Sequence, residues 1–160
     1  MKRIQTLSLA LVLSTTLILA LTATPAHAFI WKGPCVGFKN GQTLRKDTAH
    51  DIKEIRNRRL IRCVFNTFAP GELSTALYVA ERESNFDPWA WNHAIYREHD
   101  CLGTFQHMRA YWHARVLRYL KPWWFPRSWP DVSAFDPRAN AIVTAKMARS
   151  GGWSPWSTAP

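Results

Sequence analysis

Prolines and glycines divide this chain into short segments, and they restrict its fold more than any other feature of the sequence. The FAPG sequence at 68–71 interrupts one apolar-periodic stretch, and the GG pair at 151–152 ends another. The DP pair at 87–88 also ends a helix, because a residue before proline is pushed out of the α region. Residues 121–130 are too rich in proline for a regular helix. No run alternates like a strand, so a mainly α fold is predicted, with room for a small hairpin at 89–101.

Four helices are expected between these breaks. The predicted bounds are a first helix from a cap at Asp47 or Thr48 to about Phe65, a second over about 72–84, a third over 105–120 and a fourth over 139–149. The fourth begins at the DP pair at 136–137, where aspartate caps the helix and proline takes its first position. In the second helix, four apolar residues recur at i, i+3, i+4 and i+7 and predict one buried stripe: Leu73, Ala76, Leu77 and Ala80.

Residues 1–28 have the composition of a secretory signal peptide. Lys2 and Arg3 precede an apolar run at 7–21, and AHA at 26–28 is a small-x-small cleavage site. The alternative is an uncleaved membrane anchor, but a membrane span needs about 20 apolar residues. We therefore expect an exported protein that starts at Phe29, is secreted or located in the cell wall, and does not stay inserted in the membrane after cleavage.

The exported part of the chain is strongly cationic. Without Lys2 and Arg3 it has 19 basic and 11 acidic residues, a balance of +8. Such a protein is drawn to polyanions, including wall polymers and anionic membranes. We expect no nucleic-acid partner outside the cell.

All three cysteines lie in the exported part, where a disulfide can form. Because three is an odd number, one thiol stays free or pairs between chains. We predict a Cys63–Cys101 disulfide, which would join the first helix to the loop after the second. Three separate thiols are the alternative.

Glu83 is the residue best placed to carry chemistry. It lies at the end of the second helix, on the edge of the apolar stripe, and an aromatic-rich segment follows it. Apolar surroundings favour the neutral form of a carboxylic acid. A glycosidase needs such an acid to protonate the leaving oxygen. From position alone, a water-exposed glutamate at a helix end is the alternative.

The residues around and after Glu83 resemble the motifs of soluble lytic transglycosylases. Glu83-Ser84 and GTFQ at 103–106 are similar to that family's Glu-Ser-x-Phe and Gly-Leu-Met-Gln or Gly-Leu-Phe-Gln motifs. FDPWAWN at 86–92 is similar to its Phe-x-Pro-x-Ala-x-Asn continuation. FDPRAN at 135–140 is similar to its Asp-Pro-x-x-Asn helix start, and GGWSPW at 151–156 to the ending of exported actinobacterial-type members.

The resemblance implies a single lysozyme-like domain that cleaves the MurNAc–GlcNAc β-1,4 bond of peptidoglycan strands. Residues 71–160 would form the catalytic region, and residues 29–70 an N-terminal arm and first helix. Glu83 would be the acid and then the base, oriented by Ser84, with Gln106 on the floor of the cleft and Asn140 bracing or lining it. The full set of expected substrate-binding residues is Ser84, Asn92, Gly103, Phe105, Gln106, Asn140, Trp89 and Trp112.

Two departures from the family pattern affect the site. Thr104 replaces the Leu or Met of the second motif, and the Gly-Ala pair beside it is replaced by Cys101-Leu102. The family's later Tyr-Asn segment is not visible. Tyr78 and Tyr111 are the remaining candidates for a hydroxyl partner of Glu83.

Most glycosidases use two carboxylates, but no second one is evident here. Glu81 lies on another helix face, and the loop acids are Asp87, Glu98 and Asp100. The resemblance implies a single-acid reaction that is helped by the substrate's N-acetyl group and gives a 1,6-anhydromuramyl product. The alternatives are a hydrolytic muramidase, a non-catalytic wall-binding protein with a lysozyme-like fold, and a cationic membrane-active or nucleic-acid-binding protein.

The tryptophans could bind sugar or form the core, and the histidines could bind a metal or lie at the surface. The nine tryptophans are either sugar-stacking rings or core, and Trp89, Trp91 and Trp112 lie nearest the motifs. The histidines at 93, 99, 107 and 113 have no helical i, i+4 spacing, so we expect neither a metal nor a cofactor.

Overall fold

The computed structural model describes residues 33–36 and 45–160, and this part of the chain is mainly α-helical with a small antiparallel sheet. The helices are α1 (His50–Phe68), α2 (Leu73–Ser84), α3 (Arg109–Tyr119) and α4 (Pro137–Gly151). The strands β1 (Trp91–Asn92), β2 (Cys101–Leu102) and β3 (His107–Met108) pair in that order. Single 3-10 turns cover Pro70–Glu72, Arg97–His99 and Pro122–Trp124. The predicted mainly α fold is confirmed.

Helix α4 is the centre of the packing. The Asp136 carboxylate caps it by accepting the backbone N–H groups of Arg138 and Ala139 at 2.9 and 3.0 Å. Every residue from Pro137 to Ala145 is buried, which is more than one face of a helix. Both α1 and α3 pack against α4, and one hydrophobic cluster includes residues of all four helices.

The main differences from the predicted helix boundaries are in α1 and α3. The predicted cap at Asp47 or Thr48 is wrong: α1 begins at His50 after Ala49, with no side-chain cap, and the Asp47 carboxylate accepts from Arg45 instead. Helix α1 continues to Phe68 instead of ending at Phe65, because Pro70 fits the first position of the following 3-10 turn and the break falls at Ala69. Helix α3 begins at Arg109, four residues later than predicted. The backbone of Gln106 is left-handed, with φ of 47°, and β3 takes up the next two residues.

The predicted Cys63–Cys101 disulfide is wrong, because Cys63 pairs with Cys35. Residues 33–36 lie against α4, where the Arg138 Nε donates to the Pro34 carbonyl at 3.0 Å, and this places Cys35 beside α1. Cys101 lies in β2, held between β1 and β3, and its thiol is free. One disulfide and one free thiol agree with the expectation from the odd number of cysteines.

The predicted signal peptide, residues 1–28, lies outside the described residues, as do residues 29–32 and 37–44 of the predicted N-terminal arm. Among the residues that the structure describes, no helix has both the length and the apolar composition that a membrane span requires.

Candidate active site

Glu83 lies in the last turn of α2, and its carboxylate is bonded to the C-terminal tail. Val79 and Ala80, one turn earlier on the same side of the helix, are fully buried in the core, whereas Glu83 is half-buried. The Thr158 hydroxyl donates to Glu83 Oε1 at 2.5 Å. The hydroxyl partner of Glu83 is therefore Thr158 and neither of the two tyrosines suggested by the sequence. Both tyrosines, Tyr78 and Tyr111, are exposed.

The turn after Glu83 has an unusual backbone. Asn85 and Phe86 both have left-handed φ angles, 49° and 59°. Their N–H groups donate to the Glu81 and Ala80 carbonyls at 2.9 and 3.2 Å, which closes the end of α2 as in a Schellman motif. A left-handed backbone is unfavourable for Phe86, so this turn needs support from outside the helix.

Helix α1 supplies that support through a polar stripe of three side chains. His50 Nε2 donates to the Asn85 carbonyl at 3.1 Å, and Asn57 Nδ2 donates to the Phe86 carbonyl at 2.8 Å. Between them, the buried Lys53 ammonium forms an ion pair with Asp87 at 2.7 Å. The spacing of these residues, three and four apart, puts them on one face of α1. The stripe fixes the direction in which the chain leaves Glu83.

A second loop, residues 103–106, packs against the same turn. The Ser84 hydroxyl donates to the Thr104 carbonyl at 2.8 Å and lies 3.1 Å from the Ala80 carbonyl. The Thr104 hydroxyl accepts from Asn57 Nδ2 at 2.6 Å. Ser84 therefore joins α2 to this loop. The sequence predicted that Ser84 orients the Glu83 carboxylate, but the residue that bonds to this carboxylate is Thr158.

Asn140 braces the loop from inside the core. Its Oδ1 accepts from the Phe105 N–H at 3.0 Å, and its Nδ2 donates to the Leu102 and Ala134 carbonyls at 3.3 and 2.9 Å. Gly103 has φ of 76°, and a Cβ there would lie 2.5 Å from Asn140 Nδ2. The two residues therefore fit together only with glycine at 103.

Four of the predicted substrate-binding residues are corrected by their burial. Residues in the core cannot contact a sugar, and Gly103, Phe105, Asn140 and Trp112 are all buried. Asn140 therefore braces the loop and does not line the cleft. The Trp112 indole N–H donates to the Val132 carbonyl at 2.5 Å, which explains why this ring faces inward.

The other predicted residues remain accessible. Asn92 is exposed in β1, and Trp89 is half-buried, with its ring stacked on Phe135 at 5.6 Å. Gln106 is half-buried, and its Nε2 donates to the Gly103 carbonyl at 2.8 Å and the Ala90 carbonyl at 3.2 Å. Its Oε1 has no hydrogen-bond partner among the described residues, so this atom can accept from a ligand.

Three of the four other acids considered from the sequence are engaged, whereas Glu98 is exposed. Asp87 is paired with Lys53, and the exposed Glu81 lies 3.4 Å from an Arg58 nitrogen. Asp100 is buried, and the N–H groups of Ala94 and the Trp91 indole donate to its two oxygens at 3.0 and 3.1 Å. The Ala94 hydrogen bond is the main cause that lowers the pKa of Asp100. Asp100 therefore holds the 91–100 loop as a carboxylate.

Cys101 is a further group in this region. Burial raises the pKa of its thiol, and the negative charges of Glu83 and Asp100 raise it further. The free thiol is thus held in its neutral form beside the carboxylate of Glu83. Within residues 33–36 and 45–160, no three His, Cys, Asp or Glu side chains come close enough together to hold a metal ion.

Comparison with known proteins finds no relative: no family model, no curated protein and no solved structure matches this chain. The resemblance to lytic transglycosylases therefore depends on the sequence motifs alone.

Proposed function

We propose that this protein is a lysozyme-like muramidase, a lytic transglycosylase that cleaves the MurNAc–GlcNAc β-1,4 bond of peptidoglycan with Glu83 as its acid and base. The observation that carries the proposal is the Glu83 carboxylate, half-buried at the end of an amphipathic helix and bonded at Oε1 by Thr158. The two segments that contact this helix end, at 86–92 and 103–106, are those whose sequence resembles the family motifs.

The hydrogen bond from Thr158 gives the two carboxyl oxygens different roles. Because Oε1 accepts the hydroxyl proton, Oε2 is the oxygen that carries the transferable proton. Glu83 then protonates the glycosidic oxygen as the bond from that oxygen to the muramyl C1 breaks. The N-acetyl oxygen of the same sugar stabilises the positive charge at C1.

The second half of the reaction returns the proton to Glu83. The muramyl O6 attacks C1 to form the 1,6-anhydro ring, and Glu83 removes the O6 proton, so no water is consumed. The engaged state of two loop acids, Asp87 and Asp100, supports this single-acid reaction, and a water positioned by Glu98 would instead give hydrolysis. Asp87 and Asp100 are held by Lys53 and by the 91–100 loop, so neither is free to activate water.

The proposed location is outside the cytoplasmic membrane, at the wall. The Cys35–Cys63 disulfide supports it, because disulfides persist in oxidising compartments. The apolar run at 7–21 and the AHA sequence at 26–28 support export by a cleaved signal peptide.

The decisive experiment is the Glu83→Gln variant. Glutamine has the same size, so the helix should pack normally, but it has no proton to transfer. We expect cleavage of isolated sacculi to fall by about 10²–10⁴-fold, with wall binding unchanged. Mass spectrometry of muropeptides from the wild-type digest should give 1,6-anhydromuramyl ends, one water lighter than hydrolysed ends.

Glu81→Gln is the matched control, because it removes the same carboxylate from an exposed position two residues away. Its activity should stay within about twofold of the wild type. Full activity in Glu83→Gln would contradict the mechanism. Reducing ends would make the protein a hydrolytic muramidase, and wall binding without cleavage in the wild type would make it a wall-binding protein.

A further inference from the structure

One 30-residue segment of the chain carries only positive charge, which the proposed cleavage does not use. Residues 101–130 contain no Asp or Glu, and their five cationic residues are Arg109, Arg115, Arg118, Lys121 and Arg127. Three of these lie on α3, which has no acidic residue. The surface formed by α3 is therefore strongly positive.

A groove lies between this helix and α4. Its volume is about 380 Å³, and its lining residues are Tyr111, Ala114, Arg115, Arg118, Tyr119 and Met147. Five of these belong to α3 and lie on the face that contains residues 111, 115 and 118. The core side of the same helix is formed by Trp112 and Val116. The polar groups that this face offers are two guanidinium groups and two phenols, which are all hydrogen-bond donors.

Arg115 is fixed in place by a buried histidine. Burial lowers the pKa of His107 to about 3, so its imidazole is neutral at physiological pH. Its Nδ1 accepts from Arg115 Nη1 at 2.7 Å, and its Nε2 therefore carries the hydrogen and donates to the Thr144 hydroxyl at 2.9 Å. One N–H of the guanidinium is used in this way. The others stay available on a side chain that is already oriented.

Neither groove arginine has an acidic partner. Within the part of the chain that the structure describes, no ion pair joins Arg115 or Arg118 to a carboxylate. The rings of Tyr111 and Tyr119 lie 5.5 and 5.3 Å from the guanidinium carbons of Arg115 and Arg118. An oriented arginine and a second one a helix turn away fit the fork geometry with which guanidinium groups bind oxyanions.

We infer that the groove between α3 and α4 is an oxyanion-binding site, which takes a phosphate or carboxylate group carried on an anionic polymer of the cell wall. A wall polymer as the carrier rests on the proposed function, whereas binding of the oxyanion does not involve Glu83. The site would hold the protein on the wall independently of the glycosidic bond in the active site.

The first test uses inorganic phosphate and the full exported chain with its disulfide intact. Arginine Nε–H signals are followed by NMR during the titration. We expect saturable shifts for Arg115 and Arg118, and about tenfold weaker binding in Arg115→Gln and in Arg118→Gln. Arg118 is exposed, so its variant tests the site even if Arg115→Gln does not fold. The matched control is Arg59→Gln, which removes the same charge from the exposed surface of α1. No saturable shift, or an equal effect of Arg59→Gln, would overturn the site.

The second test identifies the carrier with whole sacculi, in a Glu83→Gln background so that the wall is not digested. Hydrofluoric acid removes phosphodiester polymers, and amidation blocks stem-peptide carboxylates. The measured quantity is the amount of protein that sediments with the sacculi and that is lost in Arg118→Gln. If hydrofluoric acid removes this binding, the ligand is a phosphate group, and if amidation removes it, the ligand is a carboxylate. Sedimentation unaffected by both treatments, or tighter binding of duplex DNA than of sacculi, would overturn the wall assignment. Failure of the cleavage assay alone would leave the phosphate titration unchanged, so the two proposals fail separately.

Discussion

Two five-residue segments of this protein have almost the same sequence and opposite roles. SNFDP at 84–88 ends α2, and SAFDP at 133–137 begins α4. They share two hydrogen bonds, although only the first copy has left-handed residues, Asn85 and Phe86. In each, the aspartate N–H donates to the serine carbonyl at 3.1 Å, and the aspartate Oδ1 accepts the N–H of the residue two positions later. The segment sequence therefore determines a turn and does not determine whether a helix ends or begins.

The difference comes from residues outside each segment. After the second copy, the Ala139 N–H also donates to Asp136, and the Asn140 N–H donates to the Asp136 carbonyl, so the chain continues as α4. At the first copy, the other Asp87 oxygen is taken by Lys53 of α1, and the chain turns into the sheet. The same aspartate hydrogen bonds thus belong once to a helix cap and once to an anchor point for another helix.

Breaking the Lys53–Asp87 pair at the first segment should give the largest loss of stability among these changes. Lys53→Met keeps most of the side-chain volume but leaves Asp87 without its cation in a mostly buried position. Removing one partner of a buried pair costs about 3–5 kcal/mol, and the partial exposure of Asp87 reduces our expectation to about 2–3 kcal/mol. Urea unfolding measures this loss, and the same variant should cut sacculus cleavage because the turn after Glu83 loses its anchor.

The control for this variant is Arg45→Met, which breaks an ion pair whose side chains are both exposed. That change should cost no more than about 0.5 kcal/mol. Equal losses in the two variants would mean that Lys53 has no special role at the first segment.

Substitutions at the second position of each segment should give the next largest change in stability. Asn85 is left-handed, whereas its counterpart Ala134 is buried and is not among the residues with positive φ. Asn85→Gly should be neutral or stabilise by up to about 0.5 kcal/mol, because glycine adopts this backbone without strain. Ala134→Gly should destabilise by about 1 kcal/mol. If both variants lowered the melting temperature, the left-handed backbone assigned to Asn85 would be contradicted.

The smallest change in stability is expected at the fourth position of the second segment, Asp136, and it depends on pH. Burial raises the pKa of Asp136 above its ordinary value, against the opposing hydrogen bonds from Ala139 and Arg138. A raised acid pKa contributes stability that is present below the unfolded pKa of 3.8 and lost as the pH rises through the folded pKa. Asparagine caps equally well and does not ionise. Asp136→Asn should therefore be at least as stable as the wild type at pH 7.

Melting curves from pH 3 to pH 7 check this prediction. As the pH falls toward 3.8, the melting temperature of the wild type should rise relative to that of Asp136→Asn. Asp87→Asn is the paired control: it loses the ion pair with Lys53 and should be destabilised at pH 7. An Asp136→Asn variant that is much less stable at pH 7 would show that the cap needs the charge.

The sequence predicted those parts of the fold that depend on neighbours along the chain. The second helix was placed within one residue at its start, and the fourth began at the predicted DP pair, because stripes and caps are local signals. The three strands have two residues each, too few for an alternating pattern to be visible. Gln106 has a left-handed backbone in the turn that precedes β3, and so the third helix was predicted too early.

The parts of the site that the sequence missed depend on distant contacts. Thr158 reaches Glu83 across 75 residues, held by a tail in which the Trp156 indole N–H donates to the Phe105 carbonyl at 2.7 Å. The family's Tyr-Asn segment is not visible in the sequence, and its absence is the one hint toward a different hydroxyl partner such as Thr158. The Cys35–Cys63 pairing depends on how residues 33–36 lie against α4, which no spacing of cysteines reveals.

The fit between Gly103 and Asn140 also has a consequence for how this protein can vary. Asn140 uses both amide hydrogens and its oxygen on three backbone groups of two loops, so aspartate would lose the donors and glutamine would be one methylene too long. A side chain at 103 would collide with that amide and with the Ala134 carbonyl. We therefore expect that a change at either position alone would destabilise the loop, and that the two residues are retained together. The exposed tip at Ile95 and Tyr96 has no such constraint and is free to drift.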